Sequence, residues 1–230
     1  MVAFFNPVIY YPTSSTAGSW GSRITLGTKV TTSIVVGTTV PVGALVCVAV
    51  QALAAGNTVA GVSDSRSNSY LTAKATNVNN AGNGQLALVY SQVSSSLLSN
   101  DLITPTITGV GGQYYISAFF ATGVTAGSPL DVANATNSGA TQVGDILCTT
   151  GALSVAGDLI VGAVCAVTTG ASGFTNQGSF TTPFDTESVH QTLGGGNEVS
   201  VGVSSVNFDP LNNGGSSQMA AVVAAFKVGP

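Results

Sequence analysis

His190 is the only histidine among the 230 residues, and Asp185, Glu187 and Ser188 stand just before it. A serine hydrolase needs these three types held in one line of hydrogen bonds, with the imidazole as base. Along an extended segment alternate residues share a face, which puts Ser188 with His190 and Glu187 on the other side. No Gly-x-Ser-x-Gly elbow accompanies them, so the segment reads as a turn-proximal histidine without a catalytic set. Glycoside hydrolysis needs two carboxylates flanking a sugar. Asp101, Asp145 and Asp158 each follow an Asn or a Gly at a strand entry, where an Asp typically accepts hydrogen bonds from turn amides. Asp64-Ser-Arg-Ser-Asn68 alternates oxygen-bearing side chains as a calcium loop does, yet Arg66 interrupts it and no bidentate Glu follows. It reads as a structural turn. No Gly-Lys-Ser/Thr follows any glycine run, so none is a phosphate loop.

Three cysteines, Cys47, Cys148 and Cys165, show no Cys-x-x-Cys spacing, and with one histidine they do not make a four-ligand zinc site. Two readings stay open. They are small buried hydrophobes, or two of them pair in a disulfide, within or between subunits. These residues assign no catalytic, cofactor-binding or metal site, and the expectation is a protein that is not an enzyme.

Charge explains why the inventory is so short. Lys and Arg number 5 and Asp and Glu 9, or 6% of the chain, where an ordinary soluble domain carries about 25%. Solubility therefore rests on Ser, Thr, Asn, Gln and Gly, and burying such a surface against other subunits desolvates few ions. Arg23, Lys29, Arg66, Lys74 and Lys227 are scattered. Nucleic acid, which needs clustered cations, is excluded as a partner. No basic amphipathic segment points to a membrane surface. The segment from Gly43 to Ala55 is too short to span a bilayer. The N-terminus has no basic n-region and Asn6-Pro7 cuts its apolar run, which is unlike a signal peptide; synthesis in a cytoplasm is expected.

The elements that would position these residues are strands. Runs rich in Val, Ile, Thr, Tyr and Phe, punctuated by Gly, Asn and Ser, predict strands over 29–36, 45–53, 58–63, 69–76, 85–93, 102–108 and 114–121. They continue over 140–148, 158–167, 173–181, 189–193, 198–206 and 218–227. That series predicts an all-β fold: a two-sheet antiparallel sandwich, jelly-roll-like, over residues 29–230. From Leu159 to Val167 both faces are apolar, as a central strand covered on both sides requires. The alanine-rich run from Met219 to Phe226 reads as a strand through Val222 and Val223. Gly43-Ala-Leu-Val-Cys-Val-Ala-Val and Gly157-Asp-Leu-Ile-Val-Gly-Ala-Val look alike, but eight residues do not establish a duplication.

Residues 1–28 have another texture, with aromatics and prolines crowded together and no clean alternation. They read as an extended arm, packed along the sandwich or reaching a neighbouring subunit, with Phe4, Phe5, Tyr10, Tyr11 and Trp20 as candidate interface anchors. Tyr114-Tyr115 and Phe119-Phe120 put one aromatic of each pair on each side of their strand. The pairs leave a subunit interface or a glycan platform open.

From about residue 30 onward the motif order resembles a group of jelly-roll-like β-sandwich modules found in bacterial extracellular repeat proteins and bacteriophage virion proteins. The pieces are Gly43-Ala-Leu-Val-Cys-Val-Ala-Val, Val62-Ser-Asp-Ser-Arg-Ser-Asn-Ser-Tyr, Asn100-Asp-Leu-Ile-Thr-Pro-Thr-Ile-Thr and Ser117-Ala-Phe-Phe-Ala-Thr-Gly-Val. Ser128-Pro-Leu-Asp, Gly157-Asp-Leu-Ile-Val-Gly-Ala-Val and the strand over 220–227 complete the series. The chain has Ser67 where that pattern commonly has Gly, and Ala44 where an acidic residue often follows the Gly. The resemblance implies a fold and no catalytic residues. With the arm and the low charge it leads to a structural virion protein: capsid decoration, collar, fibre or tail accessory. Such a protein would form a homo-oligomer, with a trimer favoured, and bind other virion proteins. The alternative is a surface or extracellular adhesion or carbohydrate-binding module.

Overall fold

The computed structural model describes residues 33–78, 84–109, 114–139, 144–167, 174–175, 179–188, 191–213 and 218–228, and every regular element in them is a β-strand. The first group is β1 (Ile34–Val35), β2 (Leu45–Ala52), β3 (Thr58–Asp64), β4 (Leu71–Asn77), β5 (Gln85–Gln92), β6 (Leu102–Thr108) and β7 (Tyr114–Ala121). A linking strand, β8 (Leu130–Asn137), follows. The second group is β9 (Cys148–Thr149), β10 (Leu159–Val167), β11 (Phe174–Thr175), β12 (Thr181–Ser188), β13 (Gln191–Val199), β14 (Asn207–Phe208), β15 (Leu211–Asn212) and β16 (Gln218–Phe226). All pairings are antiparallel.

The two groups are one unit built twice. The first makes a sheet of order β4-β5-β2-β7 and the second a sheet of order β12-β13-β10-β16, extended by β8. Outside them, β1-β6-β3 is matched by β9 on β14 and β15 on β11, with β6 broken into β14 and β15 around Pro210. The register agrees residue by residue. Ile34 opposes Ile103 as Cys148 opposes Phe208, and Leu45 opposes Ala121 as Leu159 opposes Phe226. Loop bonds repeat too: Gly43 N–H to Val93 O (2.8 Å) answers Gly157 N–H to Ser200 O (3.1 Å), and Val93 N–H to Ala44 O answers Ser200 N–H to Asp158 O. Ile34 precedes Leu45 by as many residues as Cys148 precedes Leu159. Across that stretch Gly37/Gly151, Gly43/Gly157, Leu45/Leu159, Ala49/Ala163, Val50/Val164 and Ala52/Ala166 are identical pairs. Gly43 (φ 84°) and Gly157 (φ 89°) turn the chain into the central strand through the left-handed region, which an L side chain resists.

The two large sheets pack face to face, β4 over β8 and β16, β5 over β16 and β10, and β7 over β12 and β13. Parity divides the core. Leu159, Val161, Ala163 and Cys165 of β10, with Ala220, Val222, Ala224 and Phe226 of β16, face the first sheet. Their neighbours Ile160, Val164, Ala166, Ala221 and Val223 face an outer layer containing Cys148, Phe174, Phe180 and Phe208. Both strands are thus covered on both sides, as their unbroken apolar runs predict, and each large side chain buried there is worth about 1.5–3 kcal/mol.

Several elements differ from the sequence expectation, among them the strand expected over 140–148, of which the described residues keep only an isolated bridge at Asp145 and the start of the two-residue β9. β8 has few strand-forming residues and was not predicted; its pairing with β16 overrides propensity. β12 contains Pro183, which sits at a register shift in an edge strand, where its missing N–H costs no ladder bond. The strand expected over 198–206 is instead the end of β13 followed by a loop over 200–206.

Candidate interaction surface and polar clusters

The best-tied polar site is the turn after β3, where the chain crosses from the β1-β6-β3 sheet to the β4-β5-β2-β7 sheet. Asp64 Oδ1 accepts the backbone N–H groups of Arg66 (2.8 Å) and Asn68 (3.1 Å). Its Oδ2 accepts Asn68 Nδ2–H (2.9 Å) and the Tyr70 hydroxyl (3.0 Å). Asn68 Oδ1 in turn accepts the N–H groups of Ser94 (2.9 Å) and Ser95 (2.8 Å), which fastens this turn to the loop after β5. Arg66 Nε donates to Asp101 Oδ2 (2.7 Å), and Leu98 N–H donates to the same oxygen (2.6 Å). The Arg66 hydrogen bond, with that of Leu98, holds the Asp101 carboxyl below its usual range. Burial, with the Asp64 charge and hydrogen bond, pushes the Tyr70 phenol up. Each oxygen of Asp64 is occupied by donors, so this is a clasp between loops. Ser67 takes φ 59° at the position where the resembled pattern carries Gly.

A second cluster lies at the start of β10. Asp131 Oδ2 accepts Ser154 N–H (2.7 Å), Oδ1 accepts the Ser154 hydroxyl (2.6 Å), and Lys227 Nζ lies 4.0 Å from Oδ1. Asp158 is fully buried beside them. It occupies the place of Ala44 in the first repeat.

Because six ionisable groups are engaged in these two clusters, the loops they tie present little charge. Gln92 Nε2 donates to Thr125 O (3.2 Å) and Thr125 N–H donates to Lys227 O (2.8 Å), which links the start of β2 to the end of β16 and hence to the start of β10. Tyr90 and Phe226, neighbours of those starts, meet with ring centroids 5.2 Å apart. Both repeats therefore bring their entry loops to one end of the sandwich. There Val42, Leu98, Val155, Val199, Val201 and Val203 are exposed, Val201 completely. Leu98 and Val203 occupy corresponding positions of the two repeats. Beside Val201 lies a shallow depression of about 210 Å³ lined also by Ser179, Glu198 and Val206, and partial burial raises the Glu198 carboxyl pKa. This apolar rim was hidden in the sequence because the Val-x-Val-x-Val alternation of 199–203 mimics a strand.

The predicted site residues fall as follows. Phe4, Phe5, Tyr10, Tyr11 and Trp20, with the whole arm of residues 1–28, lie outside the described residues, as does His190. Asp185, Glu187 and Ser188 lie on the backbone of β12. Cys47, Cys148 and Cys165 are free and buried. Burial pushes the thiols of Cys47 and Cys165 far up and that of Cys148 to about 11, so all three are inert as nucleophiles. Tyr114, Tyr115 and Phe119 are buried and Phe120 packs against the same core, which leaves no aromatic platform on β7. No family model matches the chain, and no curated protein or solved structure does.

Proposed function

We propose that this chain is a non-enzymatic structural protein of a bacteriophage virion, a capsid decoration, collar, fibre or tail accessory that works by self-association and by binding neighbouring subunits. The observation that carries self-association is the apolar rim at one end of the duplicated sandwich. A set of exposed valines and a leucine on loops whose charged groups are mostly engaged with one another is costly to leave in water and cheap to cover. The virion context rests on the motif resemblance and on the low charge. In the second repeat a strand, β8, precedes β9 and flanks β16, whereas among the described residues β7, the counterpart of β16, is the edge of its sheet and leaves the corresponding place open to a further strand. In this reading residues 1–28 fill that place on a neighbouring subunit and the rim docks against a second copy. The partners are other copies, a trimer being favoured, and other virion proteins; the chain is made in the host cytoplasm and functions in the virion.

The test is a double substitution, Val201→Asp with Val203→Asp, which places charge on the rim in a loop that no strand depends on. Assembly followed by light scattering should fall to the monomer while the β circular dichroism is unchanged. Assembly equal to the parent chain would remove the rim from the interface.

A further inference from the structure

Lys227, Asp131 and Asp158 converge where β16 runs between β8 and β10. Leu159 opposes Phe226, so the next residues outward, Asp158 and Lys227, face one another across the two strands. On the other side Phe226 opposes Leu130 and Ala225 opposes Val132, which leaves Asp131 as the unpaired residue of a bulge. The bulge turns an aspartate toward the end of β16. There the Lys227 amine lies 4.0 Å from Asp131 Oδ1. Ser154 holds both oxygens of that carboxyl, its N–H on Oδ2 and its hydroxyl on Oδ1.

Asp158 is buried and, among the described residues, accepts no hydrogen bond from any N–H or hydroxyl. The Asp131 carboxyl is its acidic neighbour, and of two carboxyls brought together in a buried site one keeps its proton. That proton belongs to Asp158. Burial, the hydrogen bond to Asp131 and the Asp131 charge push Asp158 up to about 6. Asp131 is raised by its own burial but brought below its usual range by Ser154, Asp158 and Lys227. An amine, a carboxyl held by two donors and a buried acid are the three parts that amide condensation requires.

We propose that Lys227 Nζ and Asp131 Cγ join in an intramolecular isopeptide bond, with Asp158 as the group that transfers the proton. The ammonium and carboxylate condense to a secondary amide and one water. The ammonium first passes one proton to Asp131 Oδ1, which leaves a neutral amine beside a carboxylic acid. Nitrogen then attacks Cγ; as the C–Oδ1 bond breaks Asp158 gives its proton to Oδ1, which leaves as water, and takes one from nitrogen, so it ends as it began. No oxidant or co-reactant is needed. The Ser154 N–H on Oδ2 stabilises the charge that develops on the oxygen that stays. Fixing amine and carboxyl side by side supplies the orientation that free groups in water lack. The trio belongs to the second repeat alone: the first has Ala44 and Thr122 in place of Asp158 and Lys227. The bond would staple β16 to β8, which suits a chain that bears load, and it stands whatever the protein's partners are.

Intact-mass spectrometry of the denatured full chain is the test. The mass should be lower than that of the sequence by one water, and proteolysis should give one branched species holding Asp131 and Lys227. Lys227→Arg, which keeps charge and length, should restore the full mass with unchanged circular dichroism; Asp158→Asn should do the same. A parent chain with the full sequence mass overturns the proposal. So does a deficit that survives Lys227→Arg, since it would mark dehydration elsewhere, such as a succinimide. If Asp158→Asn fails to fold, the parent chain and Lys227→Arg decide alone.

Discussion

Replacing Gly162 by valine should destabilise the protein strongly, and replacing Phe208 by isoleucine in the same chain should recover much of the loss. A Cβ on Gly162 would stand 2.5 Å from Cγ and Cδ2 of Phe208 and 2.6 Å from Cε2. Carbon atoms settle at about 3.5–4.0 Å, so the ring would have to retreat by roughly an ångström. It has no room. Phe208 is fully buried, and Phe180 packs on it with centroids 5.1 Å apart. Overpacking of this kind costs about 1–3 kcal/mol and sometimes more, and a valine adds further atoms, so Gly162→Val is placed at about 3 kcal/mol or above. Phe208→Ile alone leaves unfilled volume over a bare glycine and should cost about 1–3 kcal/mol. The first repeat solves the same site differently, with Val48 and Ile103 at the corresponding positions, both buried. The double variant imports that solution. Its destabilisation, read from urea denaturation at constant m-value, should fall short of the sum of the singles by about 2 kcal/mol. Additivity to within about 0.5 kcal/mol would mean that the positions do not touch as argued and that the repeats are not equivalent there.

Other outcomes follow from the two polar clusters. Ser67→Gly relieves a left-handed backbone conformation and should raise stability by about 0.5–1 kcal/mol in the same denaturation assay, offset in part by unfolded-state entropy. Asn68→Ala strips the Ser94 and Ser95 amides of their acceptor and should cost about 2–3 kcal/mol, with faster amide exchange confined to those loops. Asp158 has a folded pKa of about 6 against an ordinary 3.8. Its contribution is therefore complete below the ordinary value and is lost as pH rises through about 6. Melting temperature should fall across that window in Lys227→Arg, which keeps the Asp131 carboxylate free of any bond to Lys227, and stay flatter when Asp158→Asn is added; equal slopes would remove Asp158 as the titrating group.

Much of the fold was legible because apolar runs and turn residues carry their own signal. Leu102–Thr108 and Tyr114–Ala121 coincide with predicted strands, and the two-sided apolar pattern of β10 announced a central strand. The failures have one cause, that tertiary context decided what local sequence left neutral. β8 is a strand because β16 offers it a ladder, and Val199 to Val203 leave the sheet although their alternation suits it. The likeness of Gly43-Ala-Leu to Gly157-Asp-Leu was too short to count until strand order and register extended it over two whole units. The clasp was partly visible, since Asp64, Arg66 and Asn68 stood out as a turn; that Arg66 pairs with Asp101 needed the fold. In the sequence Lys227 is one of five scattered cations at the end of a predicted strand, and no linear pattern joins it to Asp131 and Asp158, which meet through a bulge and two strand pairings.

The central claim, that this chain works by associating through its arm and its apolar rim, is tested most directly by size-exclusion chromatography with light scattering on the intact chain over a wide concentration range. One discrete oligomer, a trimer, is expected, and a monomer of unchanged β content once residues 1–20 are deleted. A monomer at every concentration for the intact chain would contradict it.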